Sequence, residues 1–141
     1  MNHPLNQIIS KLLIAALIVT DPDSDGDWPV FVSHMPDGDN TPDNAVAIFD
    51  TGGNKVTRIL NGASIFGLGN QIMVRATDYA TGWAKATAIE TYMSSINRTT
   101  ITIEGTVYLV QVSDQQSPIL PLGREPEGKH RDLFTLNFIT F

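Results

Sequence analysis

A change of hydrophobic period in the middle of the chain limits the folds open to it. Gln71 to Thr77 (QIMVRAT) reads as an extended strand. From Tyr79 onward Trp83, Ala86, Ile89, Met93 and Ile96 return at three- and four-residue steps, the spacing that lines one side of a helix. Asp78 stands where a short carboxylate accepts from the orphan backbone donors of a first turn. A strand that runs straight into such a helix requires a sheet for the apolar stripe to cover.

The flanking segments supply that sheet. Leu5, Ile8, Ile9, Leu12, Leu13, Ala16 and Leu17 keep helical spacing, which predicts a first helix over 4–19 with Pro4 at its start, where a missing amide proton is no loss. Pro29 to Ser33 reads as a strand. Ala45 to Asp50 is a near-continuous apolar run, as expected of a central strand covered on both faces. Thr99–Glu104 and Thr106–Ser113 form a hairpin turning at Gly105, with Ile101, Ile103, Val107 and Leu109 directed at the core. Leu133 to Phe141 alternates Phe134, Leu136 and Phe138 against polar neighbours and ends the chain as a strand.

Two long segments lack a clear period. Asn54–Gly69 carries Gly62, Gly67 and Gly69, with room for a local ribbon, and Gln115–His130 carries Pro118, Pro121 and Pro126, which exclude ladder positions. The expected fold is therefore one α+β domain over 1–141, a mixed, mainly antiparallel sheet of about five or six strands packed by two helices. Trp83, Ile89, Met93, Ile48, Val74, Leu109 and Phe138 are its expected core.

Charge and cysteine usage narrow the function classes. A formal net charge of −6 disfavours binding to nucleic acid, whose affinity comes mainly from lysine and arginine. With no cysteine there is no disulfide framework, thiolate metal site or thiol nucleophile, and a cytosolic origin is the default. The apolar run Leu12–Val19 is eight residues, against the roughly 20 that a bilayer helix requires. A folded amphipathic helix accounts for it better than a signal peptide, since one lysine precedes it and no clear small-x-small site follows.

The candidate chemistry is sparse. Asp21-x-Asp23-x-Asp25-Gly26 resembles the opening of a calcium loop, but the closing bidentate carboxylate falls at Val32, so a solvated acidic loop is expected there. Gly62 to Gly67 has phosphate-loop spacing, yet Leu68-Gly69 follows where lysine and a hydroxyl residue belong. His3, His34 and His130 have no paired spacing, and no nucleophile elbow is present. No catalysis, cofactor or metal is expected. Trp28, beside Pro29, suits either a core or a contact role.

Three stretches carry a family resemblance: Pro42–Gly53 (PDNAVAIFDTGG), Gln71–Ile89 with its Val-Arg-Ala-Thr-Asp-Tyr and alanine-rich helix, and Ser117–Glu125 (SPILPLGRE) leading to Leu136-Asn137-Phe138. In order and spacing they resemble the tail terminator proteins, also labelled minor capsid proteins, of long non-contractile-tailed phages. Asn54–Gly69 departs from that pattern. The resemblance implies a virion subunit at the head-tail junction, assembled in the host cytoplasm as a hexameric ring on the last disc of the tail tube protein. It would stop tube growth and join the head connector, letting DNA pass without specific binding and touching no membrane. Trp28, Leu120, Arg124, Glu125, Lys129 and His130 are its expected ring or partner contacts. A head-completion or stopper protein of the connector is the alternative within that class; a calcium- or small-ligand-binding module built on Asp21–Asp27 is the alternative outside it.

Overall fold

The computed structural model describes the chain except residues 1, 38–40, 54–56, 59, 61, 63 and 126–130. The period change falls where the sequence places it: strand β5 (Leu68–Ala76) leads into helix α2 (Tyr79–Ser95), capped by Asp78, which accepts from the Thr81 amide at 2.8 Å. Before them come α1 (Leu5–Ala15), β1 (Val30–Val32), β2 (Ala45–Gly53) and a two-stranded ribbon of β3 (Thr57–Arg58) and β4 (Ser64–Ile65). After them come the hairpin β6 (Thr99–Ile103) and β7 (Thr106–Val110), then β8 (Ser113–Gln115), β9 (Leu120–Arg124) and β10 (Asp132–Thr140).

The main sheet has six strands in the order β1-β2-β5-β10, with β8 and β9 both on the far side of β10. β1 runs parallel to β2 and the other pairs are antiparallel. The sheet is thus mixed and mainly antiparallel, and two helices pack on it. Register sets Val46, Val74 and Phe134 in one row and Ile48, Ile72 and Leu136 in the next. Because side chains alternate along a strand, these rows share a face. They meet Leu5, Ile9 and Leu13 of α1 and Ala86, Ile89 and Met93 of α2 in one buried cluster.

Four expectations need correction. Trp83 is 42% exposed, because the row of α2 that meets the sheet is Gly82, Ala86, Ile89 and Met93. A Cβ at Gly82 would overlap the Phe134 ring, so glycine, which gives no hydrophobic signal, occupies the closest approach. Val107 and Leu109 are exposed, since the inward row of the second hairpin strand holds Tyr108 and Val110. The first helix ends at Ala15, not Val19. Leu17 adopts φ 62, and the amides of Leu17 and Ile18 turn back to Ile14 and Leu13, which closes the helix in the manner usually given to glycine. Finally, Pro121 lies within β9, a place that an edge strand permits because one side of its backbone is unpaired.

The start of α1 has no cap of its own, since Pro4 has none to offer; Asp50 of β2 supplies it, accepting from the Asn6 amide at 2.8 Å. Asp50 and Asp78 both serve helix starts, but their carboxyls shift in opposite directions. Partial burial, outweighing the Asn6 hydrogen bond, raises Asp50 above the ordinary 3.8. The Thr81 backbone and side-chain bonds lower Asp78 below it. Stability contributed by Asp78 is full above the unfolded value and is lost as pH falls through its lowered value. Folding favours the protonated form of Asp50, so the stability it adds in acid is lost as pH rises through its raised value. Carboxyl titration by NMR should place the two midpoints on opposite sides of 3.8; coincident midpoints would remove this account. At neutral pH Asp50→Asn, which keeps the acceptor, should leave stability unchanged, while Asp50→Ala costs about 1 kcal/mol.

Candidate functional site

β8 and β9 are two pieces of one edge. Ser113–Gln115 pairs with the end of β10 and Leu120–Arg124 with its start, and between them the Gln116 amide reaches Asn137 O at 2.8 Å. A buried chain of hydroxyls and an amide seats the first piece: Ser113 Oγ lies 3.0 Å from Thr140 Oγ1, which donates to Asn70 Oδ1 at 3.1 Å. The second piece is different in kind. All five of its residues are exposed, Leu120 by 52% and Leu122 by 47%.

On the helix side the edge continues into aromatic surface. Tyr79 and Trp83 stack with centroids 6.2 Å apart and planes 7° from parallel, and both meet the buried Phe134 edge-on. Phe134 pairs with Pro121 across the strands. Tyr79 and Trp83 are 52% and 42% exposed on the helix side of this edge, while Leu120, one residue out of step with Pro121, stands toward the other face, 52% exposed. Apolar groups gathered in this way mark interaction surfaces.

The opposite face of the sheet holds a second construction. Arg75 pairs across the strands with Ala45 and Leu133, and is therefore one residue out of step with the helix-facing rows. It is 1% exposed, and Arg131, just before β10, is 2% exposed. Residues 36–37 and 41–43, between β1 and β2, lie against them. Arg75 donates to the carbonyls of Pro36, Pro42 and Asp43. Arg131 Nε donates to Glu125 Oε2 at 2.9 Å, and its Nη2 lies 3.3 Å from Asp37 Oδ1. Its Nη1 donates to Thr41 Oγ1 at 3.3 Å. Two buried cations thus tie residues 36–37 and 41–43 to Glu125. Burial, and then the positive neighbour Arg131, lower the Arg75 pKa, while Glu125, Asp37 and Asp43 oppose the shift. Alanine at positions 45 and 47, both fully buried, leaves room for the guanidinium.

The expected contact residues divide among these constructions. Leu120 and Arg124 stand on the exposed edge, with Arg124 Nε 3.6 Å from Asp132 Oδ1. Glu125 faces inward, its side chain 16% exposed and bound to Arg131. Trp28 lies elsewhere, at φ 58 beside α2, where Lys85 Nζ sits 5.1 Å from its ring centroid and donates to Ile18 O at 2.8 Å. Lys129 and His130 lie outside the described residues. Arg75 and Arg131 were not among the expected site residues. A possible signal was an arginine in an otherwise apolar strand, opposite the small residues of Ala45–Ala47.

The described histidines have separate partners. His3 contacts Tyr108 Oη and Glu104, and His34 its own segment at Val32 O. In the Asp21–Asp27 loop Asp21 Oδ1 accepts the Asp23 amide at 2.9 Å, and among the described residues no three His, Cys, Asp or Glu side chains converge as a metal-ligand set. Among these residues no helix is long and apolar enough to cross a membrane. No curated protein matches the chain. A family model described as bacteriophage tail terminator protein matches residues 12–140.

Proposed function

The chain belongs to the bacteriophage tail terminator family, and from that premise we propose that copies of it close into a hexameric ring on the last disc of the tail tube, ending its growth and offering a face to the head connector. Membership makes it a structural protein of the phage tail and a virion component; ring closure, partners and position are the reading argued here. The observation that carries the reading is the exposure of large apolar side chains on both faces of the β9 edge, Tyr79 and Trp83 on the helix side and Leu120 on the other, as at surfaces that meet a partner. A ring subunit needs two unlike patches that meet head to tail and close. Strand order supports this, because β1 and β9 lie on opposite sides of the sheet.

Rigid support for the contacts comes from the arginine pair. It holds Pro42 and Glu125 to the sheet, so less order has to be gained on assembly. An excess of carboxylates keeps passing DNA from adhering wherever they face the lumen. Docking on preformed surfaces requires no reactive group and no cofactor.

Purified protein mixed with assembling tail tube protein should yield tubes of fixed length, each ending in a six-fold ring visible by electron microscopy. Monomers alone in the presence of tube, with tubes growing past their normal length, would refute the proposal. Rings found bound to the connector and absent from tubes would move the chain to the stopper role.

A further inference from the structure

We propose that the ring closes edge to edge: the β9 edge of one copy, with Leu122 and Arg124, seats in the groove beside β1 of the next copy, where the Asp21–Asp27 loop receives the arginine. The inference rests on the ring reading above and adds which surfaces meet. The first argument is position. β2, β5 and β10 separate the two edges, so a subunit that uses both contacts a different neighbour on each side, as a closed head-to-tail ring demands.

The second argument is the form of the β9 edge. An exposed strand ordinarily invites another strand to continue its ladder, which would give open-ended growth. Here Pro121 has no amide hydrogen, and the pairing with β10 slips between Leu133 and Phe134, with Gly123 at φ 86. These features make a poor template for a further strand. The contact must then be made by side chains, and Leu122, 47% exposed, and Leu120, 52% exposed, are the ones presented.

The third argument is complementarity. Arg124 has a side chain 64% exposed, with Asp132 at 3.6 Å as its described ionic neighbour. On the other edge, the Thr20 amide donates to Trp28 O and the Val30 amide to Thr20 O, so the segment between them folds back as a loop beside β1. That loop carries Asp21, Asp23, Asp25 and Asp27, all outside any ion pair among the described residues. Next to it is a groove lined by apolar Ile14, Val30 and Phe31 together with polar Ser10 and Lys11, and Asp21 of the loop is part of its wall. Apolar side chains beside carboxylates fit a leucine followed two residues later by an arginine. With a net charge of −6 on every subunit, setting a cation of one copy against the acidic loop of the next also relieves repulsion within the ring. The cleft between Phe66, Leu109 and Phe141 is apolar too, but it has no comparable charge partner.

Charge reversal tests the pairing. Arg124→Glu alone, and Asp23→Arg with Asp25→Arg alone, should each raise the concentration for half-assembly about tenfold, and the triple variant should regain most of the loss. Melting curves check that each variant folds; where Arg124→Glu is destabilised by Asp132, Leu122→Asp replaces it and should also block rings. Rings from wild type with all charge variants assembling equally well would overturn this interface and leave the ring reading standing. A triple variant no better than the single changes would also overturn it. Failure of wild type to form rings on tail tube would defeat both.

Discussion

Replacing Arg131 with alanine should lower stability by about 3–5 kcal/mol, the range for removing one partner from a buried ionic cluster. The size follows from what remains. Glu125, with a side chain 16% exposed, loses the guanidinium that meets both of its oxygens, at 2.9 and 3.4 Å, and Thr41 loses its donor. Arg75 then faces Glu125 from 4.0 Å without help in holding residues 36–37 and 41–43. Asp37 matters little, because its side chain is 88% exposed and water screens its pairing. Urea denaturation should therefore separate Arg131→Ala from Asp37→Asn by several kcal/mol, with Asp37→Asn within about 0.5 of wild type. The midpoint of thermal unfolding should fall by on the order of 10 °C for Arg131→Ala. If Arg131→Ala unfolds no more easily than Asp37→Asn, the cluster does not staple these residues together. Assembly should suffer beyond the loss of stability, since Glu125, next to the β9 edge, is no longer held by Arg131.

This cluster also shows where sequence reading stops. The strands and helices that carry periodic apolar residues are legible: β5 and α2 through their change of step, β10 through Phe134, Leu136 and Phe138, and the hairpin through its β-branched content and Gly105. Asp78 as a cap follows from residue type and position. The arginine pair does not, because nothing in a linear pattern says that the charged residues at 75 and 131 are sealed beneath residues from between β1 and β2. The partners of Arg75 are backbone carbonyls, which every residue has, and those of Arg131 are mainly side chains distant in sequence from one another. The β9 edge was hidden for the opposite reason. Pro121 and Gly123 argue against a strand in the interior of a sheet, and only knowledge that it is an edge reverses that inference. Leu120 and Arg124 are expected contact residues through the family resemblance and not through any local signal.

Phe134→Ala should cost about 3–5 kcal/mol as well, but its double-mutant behaviour is the sharper test. Phe134 is fully buried between α2 and β10, with Tyr79 at 5.1 Å and Trp83 at 6.2 Å between ring centroids. Its ring fills the space in which a Cβ on Gly82 would stand. In the native background Gly82→Ala gains about 1 kcal/mol of helix propensity and loses about 1–3 to overpacking, so the net effect is neutral to destabilising. With Phe134 reduced to alanine the closest overlap is gone and the Ala76 Cβ at 3.1 Å remains, so the same Gly82→Ala change should cost markedly less than in the native background. A coupling of more than about 1 kcal/mol between the two positions is expected, as for residues that share one volume. Trp83 reports independently: without Phe134 beneath it, its fluorescence should shift toward that of a solvated indole, read in a Trp28→Phe background so that one tryptophan remains. Additive costs at positions 82 and 134, or an unmoved Trp83 emission, would mean that the glycine is there for some reason other than the ring. The result also bears on assembly, because the Tyr79–Trp83 stack flanking the β9 edge rests on this same side chain.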